Sequence, residues 1–423
     1  MKVLIITYYW PPAGGPGVQR WLKFVKYLQE FGIEPVVYTV DNPQYPITDV
    51  SLEKEVPKNI EILRHPIWEP NNFLSFFKKN KQESAGFLQS NPSFFGKILQ
   101  YIRANYFIPD ARKFWVKPSV KFVENYLLEN NIDAIITSGP PHSLHLIGLQ
   151  LKQKTGITWI SDFRDPWTEI DYFHQLPLTK KAIIKHKNLE RSVLRESNAV
   201  LVVGKTMKEN YRGYNKQIYV LTNGFDAEIL SEPKSLDAKF TITHVGLMNA
   251  DRNPKILWKV LLELCEDDIA FKRNLEIKLI GKLSNEVVVS LQDFDSKNIH
   301  KIDYLSHREV RIHQQCSQVL LLAINKVPSA KGIITGKIFE YIHAKRPILA
   351  IGPTRGDAAE IIKNTQTGFI VDFEDETRLK SVILDLYQDY TNGNLQVKAT
   401  DIQQYHRRAL TEKLSKIIKE TVQ

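Results

Sequence analysis

KVLIITYYWPPAGGPGVQRWLKFVKYLQEFGIEPVVYTV, residues 2 to 40, sets the register for the whole chain. It opens on KVLIIT, whose apolar run Val3 to Ile6 is of the kind buried on both faces of a parallel sheet. PPAGGPG breaks that run. From 17 to 31, Val18, Trp21, Leu22, Val25 and Leu28 recur at helical spacing, Gly32 stops the helix, and EPVVYTV reads as a second strand. Strand, glycine loop, helix, strand is a βαβ unit, and such units imply a parallel sheet with helices on both faces.

The same alternation continues outward. DAIITSG (133 to 139), TWISDF (158 to 163) and NAVLVVG (198 to 204) are further buried strands, and the pattern restarts near residue 240 with FTITHVG. After it come a helix at 253 to 266, LEIKLIG, a helix at 284 to 293, a short strand near 299 to 304, a helix at 306 to 316 and QVLLLAI. The helix that contains Glu340, PILAIG, a helix at 356 to 365 and GFIVDF complete the second set. A chain of 423 residues is too long for one ordinary core. We therefore expect two Rossmann-like, doubly wound α/β domains, at 1 to 205 and 237 to 400, with a linker at 206 to 236. A final helix, with Leu410, Leu414, Ile417 and Ile418 at helical spacing within 401 to 423, is expected to pack back.

Composition narrows the class. Apolar residues at 43% and charged residues at 25% are those of a globular protein, and no run reaches the length of a membrane span. The formal charge of +10 attracts anions. No nucleic-acid recognition motif accompanies it, so nucleic acid is not the expected partner. Two cysteines, Cys265 and Cys316, are too few for a disulfide framework and favour a reducing cytoplasm. The opening apolar run lacks a signal-peptide cleavage site and leads into the glycine loop, so it reads as a strand. Residues 66 to 118 fit neither set and read as a basic, aromatic insertion. Between 78 and 117 this stretch carries eight Lys or Arg against Glu83 and Asp110. It suits either peripheral contact with an anionic membrane or a helical insertion packed on the first domain.

In a doubly wound domain ligands sit beyond the carboxyl ends of the strands, where helix amino termini also point. KGIITGKIFEY joins the strand at 318 to 324 to the next helix, so Gly332, Thr335, Gly336 and Lys337 fall where free amides and the helix dipole face a phosphate. Glu340 follows within a turn, placed to accept two hydrogen bonds from a ribose diol; the plainer role is an acid favouring the macrodipole or pairing with Lys337. In the first domain GPGVQR offers a partial dinucleotide fingerprint, with Asp41 ending the second strand. Arg20 occupies the place of its third glycine, which weakens an NAD-dependent oxidoreductase reading.

TGKIFEYIHAKRPILAIGP, VGLMNADRNPKIL and LTNGFD, with YYWPPAGGPGVQRWLKFVKYLQEFGIEPVVYT and SGPPHSLHLIGLQLKQKTGITWISDFRDPW before them, resemble a glycosyltransferase of the GT-B fold, in the large retaining family 4. The resemblance covers most of the chain except 42 to 100 and the region after 375. It implies two domains facing a cleft and transfer of a sugar from a nucleotide-sugar to a saccharide or lipid-linked saccharide, with no metal or other cofactor. The setting it suggests is cell-surface polysaccharide assembly at the cytoplasmic side of a membrane. Glu340 matches the second glutamate of the family's Glu-x7-Glu motif, and the first falls on Gly332. The family's Gly-Arg reads Gly246-Leu247, so Arg252 or Lys255 is the candidate replacement cation. Gly14, Gly15 and Gly17 match the loop placed against the donor diphosphate and acceptor. His142 corresponds to the acceptor site, and Arg164 with Asp165 reads as an ion pair shaping the cleft. The resemblance also leaves room for a sugar-nucleotide epimerase or a non-catalytic nucleotide-sugar-binding protein of the same fold.

Overall fold

The computed structural model describes residues 1 to 69, 94 to 226, 235 to 303 and 305 to 423. The chain divides into two compact units, Met1–Asn223 with Arg407–Gln423, and Gly224–His406.

In the first unit the strands are β1 (Lys2–Ile6), β2 (Glu34–Val40), β3 (Glu61–His65), β4 (Ala134–Gly139), β5 (Thr158–Phe163), β6 (Ala199–Val202) and β7 (Ile218–Val220). They form one sheet in the order β3-β2-β1-β4-β5-β6-β7, with every pairing parallel. The helices are α1 (Pro16–Leu28), α2 (Phe94–Tyr106), α3 (Lys113–Glu129), α4 (Ser143–Thr155), α5 (Lys180–Glu196) and α6 (Lys205–Tyr211). Val18, Trp21, Leu22, Val25 and Leu28 of α1 are buried, as their spacing requires. They share a core with Leu410, Leu414, Ile417 and Ile418 of the final helix.

The second unit contains β8 (Phe240–Val245), α7 (Lys255–Asp267), α8 (Ile269–Asn274), β9 (Leu275–Ile280), α9 (Asn285–Val289), β10 (Ile299–Ile302), α10 (His307–Cys316) and β11 (Val319–Ala323). It continues with α11 (Lys337–Ala344), β12 (Ile348–Ile351), α12 (Asp357–Thr365), β13 (Gly368–Val371) and α13 (Glu376–Thr391). Its sheet, also parallel, runs β10-β9-β8-β11-β12-β13. The last helix, α14 (Arg407–Val422), returns to the first unit.

Both units are thus the doubly wound parallel α/β domains expected. Two boundaries differ from the sequence reading. The chain crosses at Asn223–Gly224, later than 205, because α6 and β7 complete the first sheet, so much of the expected linker is regular structure. The return crossing falls at His406–Arg407. Nor is all of 66 to 118 an insertion. Trp115 and Val116 are buried in the first core, which makes α3 the crossover helix between β3 and β4. FLSFFKKNKQ (73 to 82) lies outside the described residues. Among the described residues no helix is long and apolar enough to cross a membrane.

Candidate functional site

In the second sheet the strand order reverses between β8 and β11, which is where a doubly wound domain opens a crevice. β8 and β11 pair only at Ile242 with Val319 and Thr243 with Leu320. Beyond that point two side chains stand in for the ladder. His244 contacts the Leu321 carbonyl through Nδ1 at 3.1 Å. Tyr341 Oη accepts from the Val245 amide at 3.1 Å and reaches the same carbonyl at 3.4 Å. The backbone groups left by the splayed strands are therefore satisfied inside the protein, and the carboxyl ends of β8 and β11 stand apart.

Gly246, Arg252, Lys337 and Glu340 collect at this opening. Gly246 has φ +94°, and a Cβ there would lie 2.9 Å from Lys337 Cε and 3.0 Å from Nζ, so only glycine admits the lysine. Lys337 Nζ stands 3.3 Å from His244 Nε2. Burial holds His244 neutral, well below its ordinary value, and Lys337 and Arg252 push it the same way. With Nδ1–H donated to Leu321, Nε2 is left as the acceptor for the ammonium. Lys337 is itself lowered to about 7, by burial first and by Arg252 second, with Glu340 opposing. Among the described residues it makes no ion pair.

Arg252 closes a short turn, Ala250–Arg252, capped by the Asn249 side chain. Its guanidinium donates from Nε to Asn325 Oδ1 at 2.9 Å and from a terminal nitrogen to the Leu247 carbonyl at 3.0 Å. It thereby ties the loop after β8 to the loop after β11. Lys255, the other replacement suggested by the sequence, is an exposed first residue of α7. It lines, with Arg252, Lys326 and Phe373, a pocket of about 320 Å³.

On the other side of the crevice Gly332 ends a turn, Ala330–Gly332, and Gly336 caps α11. Thr335 Oγ1 is buried without a hydrogen-bond partner among the described residues. A buried hydroxyl with no partner beside a helix amino terminus is costly unless something fills the place. Glu340 is half-buried in the first turn of α11 and accepts from Gln314 Nε2 of α10 at 3.0 Å. Glycines, two basic side chains, an orphan hydroxyl and a carboxylate one turn on suit a phosphate with a diol beside it.

The first unit has its own reversal, between β1 and β4. Arg164 donates to the Gly17 carbonyl at 2.6 Å and to the Pro140 carbonyl, stapling the loop after β1 to the loop after β4. Asp165 is exposed and, among the described residues, lies beyond ion-pair distance of Arg164, although each feels the other's charge; the terminal nitrogens of Arg164 go to backbone oxygens and its buried Nε has no partner among those residues. Gly17 sits under that guanidinium, where a Cβ would lie 3.1 Å from it, and Gly15 has φ +86° at the start of α1. Gly14 packs on the following loop, where a Cβ would lie 2.8 Å from Ile47 Cγ2. His142 stacks on Trp167 with ring centres 5.0 Å apart, and its Nδ1 is buried without a partner among the described residues. Burial, with His145 and Arg164 near, keeps it neutral.

Arg20, read only as a missing glycine, is a buried strut. It pairs with Asp162 through Nε at 3.1 Å and a terminal nitrogen at 2.8 Å. It also donates to the carbonyls of Leu221 and Thr222 and to Asn223 Oδ1. Trp21 Nε1 and Ser138 Oγ complete the Asp162 carboxylate. The position where a dinucleotide fingerprint needs a small residue is filled by a fully engaged side chain. Among the described residues no group of three or more His, Cys, Asp or Glu could hold a metal ion.

No known family's profile matches the chain, and no curated protein matches it in sequence. Solved structures do. WaaG, a glycosyltransferase involved in lipopolysaccharide biosynthesis, aligns over 98% of this chain and 99% of its own, at 13% identity and a TM-score of 0.56. TarM aligns over 99% and 98%, at 12% identity and a TM-score of 0.61. A candidate UDP-N-acetylglucosamine 2-epimerase from Listeria monocytogenes aligns over 98% and 94%, at 11% identity and a TM-score of 0.55. The chain has the fold of GT-B glycosyltransferases along its full length, and at these identities the likeness is one of fold.

Proposed function

We propose that the chain is a nucleotide-sugar-dependent glycosyltransferase of the family 4 type, with the donor bound at the crevice between β8 and β11. The observation that carries this reading is the Lys337 ammonium, held against Gly246 and near Arg252, with no ion pair among the described residues and with the orphan Thr335 hydroxyl at the same helix terminus. A diphosphate supplies the charge and the acceptor oxygens these groups lack. Glu340, one oxygen tied by Gln314, takes the ribose diol. Gly332 stands where the family's donor-sugar glutamate would be, so the sugar is gripped by other groups.

The acceptor is a saccharide or lipid-linked saccharide bound by the first unit around Gly17, Arg164 and His142, in cell-surface polysaccharide assembly on the cytoplasmic side. Transfer proceeds with retention. The acceptor oxygen bonds to the anomeric carbon on the face the diphosphate leaves, the carbon–phosphate-oxygen bond breaks, and the departing phosphate takes the acceptor proton. Lys337 and the α11 amides stabilise the charge growing on the diphosphate.

Incubation with a panel of UDP-, GDP- and ADP-sugars, with and without saccharide and polyprenyl-linked saccharide acceptors, tests the assignment. Acceptor-dependent release of one nucleoside diphosphate supports it. Epimerised sugar from donor alone would make the chain an epimerase, and tight binding without turnover would make it a binding protein.

A further inference from the structure

The helix α2 is built inside out. Along its 13 residues Gly96, Gln100 and Ala104, at i, i+4 and i+8, are half-buried toward the protein, and none of its described residues is buried. The opposite face carries Phe95, Ile98, Leu99, Ile102 and Tyr106 at helical spacing, all exposed, from 39% at Leu99 and Ile102 to 77% at Phe95. An amphipathic helix ordinarily buries that stripe. Here polar contacts fix the helix in the reversed setting. Asn105 Nδ2 donates to the Pro177 carbonyl at 2.8 Å, and Asn105 Oδ1 accepts from the Thr179 amide at 2.7 Å. The exposed aromatic surface continues past the helix, where Phe107 meets Phe114 at 5.8 Å and Phe114 meets Trp68 at 4.8 Å.

The charge on the helices flanking the stripe has one sign, and Asp110 between α2 and α3 is turned to Ser143. Lys97 and Arg103 lie on α2, Lys113 at the start of α3, and Lys180, Lys181 and Lys185 in the first turns of α5, which Asn105 joins to α2. Lys113 reaches the Tyr106 carbonyl, and its value is lowered by burial and by Lys185 nearby, which puts Lys113 and Lys185 together at the carboxyl end of α2. No acidic residue occurs in α2, in the first two turns of α3 or in the first two turns of α5. A contiguous apolar stripe marks an interaction site, and cations flanking it are complementary to an interface that is anionic on its surface and apolar beneath.

We propose that the outward face of α2, with the lysines of α3 and α5 at its flanks, is a docking surface for an anionic lipid bilayer. The apolar side chains enter the headgroup boundary, and the cations stay at the phosphate level. This docking is independent of the donor-site assignment, because every residue it uses lies in the first unit and none binds nucleotide.

Flotation of the full chain with vesicles of phosphatidylcholine alone, or of equal parts phosphatidylcholine and phosphatidylglycerol, is the test. The expected result is binding to the anionic vesicles only, weakened by salt. Leu99→Asp with Ile102→Asp should abolish it. Lys180→Glu with Lys185→Glu should weaken it by at least roughly 25-fold, since each cation near the surface contributes roughly fivefold and the new carboxylates are repelled. Both pairs are exposed, and the melting curve of each variant checks the fold. Equal binding to both vesicles, or unchanged binding by the Asp variant, would overturn the proposal. So would a dimer in solution that the Asp variant dissolves without vesicle binding by the parent, which would give the face to a second copy.

Discussion

Lys337→Met is expected to make the protein more stable at neutral pH and unable to hold a nucleoside diphosphate. The lysine is lowered from 10.5 to about 7 in the folded chain. At about 1.36 kcal/mol per pH unit that interval sets a ceiling of about 5 kcal/mol on the cost of keeping the ammonium there. The side chain retains some solvent access, which reduces the figure by roughly half. Methionine keeps most of the packing against Gly246 but leaves His244 Nε2 without a partner, at about 1 kcal/mol. A net gain of about 1–2 kcal/mol remains. The pH dependence follows from the sign. The folded value lies below the unfolded one, so the penalty is full below pH 7, shrinks as pH rises through the window from 7 to 10.5, and vanishes above it. Urea unfolding of fluorotryptophan-labelled protein, followed by fluorine NMR, resolves the units, because Trp258 is the one tryptophan of the second unit. The gain should be present at pH 6 and absent by pH 10. A variant less stable than the parent at pH 6, or a difference that does not change with pH, would refute this account of Lys337.

Two further outcomes follow from the same geometry. Nucleoside diphosphate binding at pH 8 should take up a proton, since an anion beside Lys337 raises it again; calorimetry in buffers of different ionisation enthalpy measures this, and Arg252→Gln should reduce the uptake, because Arg252 is one cause of the lowering. Asp162→Asn leaves the buried Arg20 guanidinium without its counter-charge and should cost about 3–5 kcal/mol in the first unit, read from the other tryptophans.

Much of the architecture was legible because strands buried on both faces read as apolar runs, and VLII (3 to 6) and VLLLA (319 to 323) announce themselves. What misled was the segment from 205 to 223. β7 is a three-residue edge strand, too short for any periodicity, so it resembled linker. Within the site, TGKIFEY could be placed from its position between a strand and a helix, and Glu340, Lys337 and Thr335 do share the α11 terminus. The supports were not legible. His244 looked like one more residue of a strand, and Gln314 is an unremarked polar residue on α10; their roles depend on how β8 and β11 splay, a tertiary fact. A polar side chain inside an otherwise apolar strand was the available signal for His244. Arg164 stands just past the end of β5, where SDFRDPW puts it, but adjacency in sequence suggests Asp165 as its partner. Both residues lie in the bend that follows the strand, and the arginine turns to Gly17 and Pro140 instead.

Calorimetric titration of the parent and of Glu340→Ala with UDP, GDP, ADP and NAD tests the central claim most directly. The account requires binding of one nucleoside diphosphate by the parent, weakened at least about tenfold in the variant by loss of the charged hydrogen bonds to the ribose. Equal binding by the two proteins, or binding of NAD alone, would contradict it.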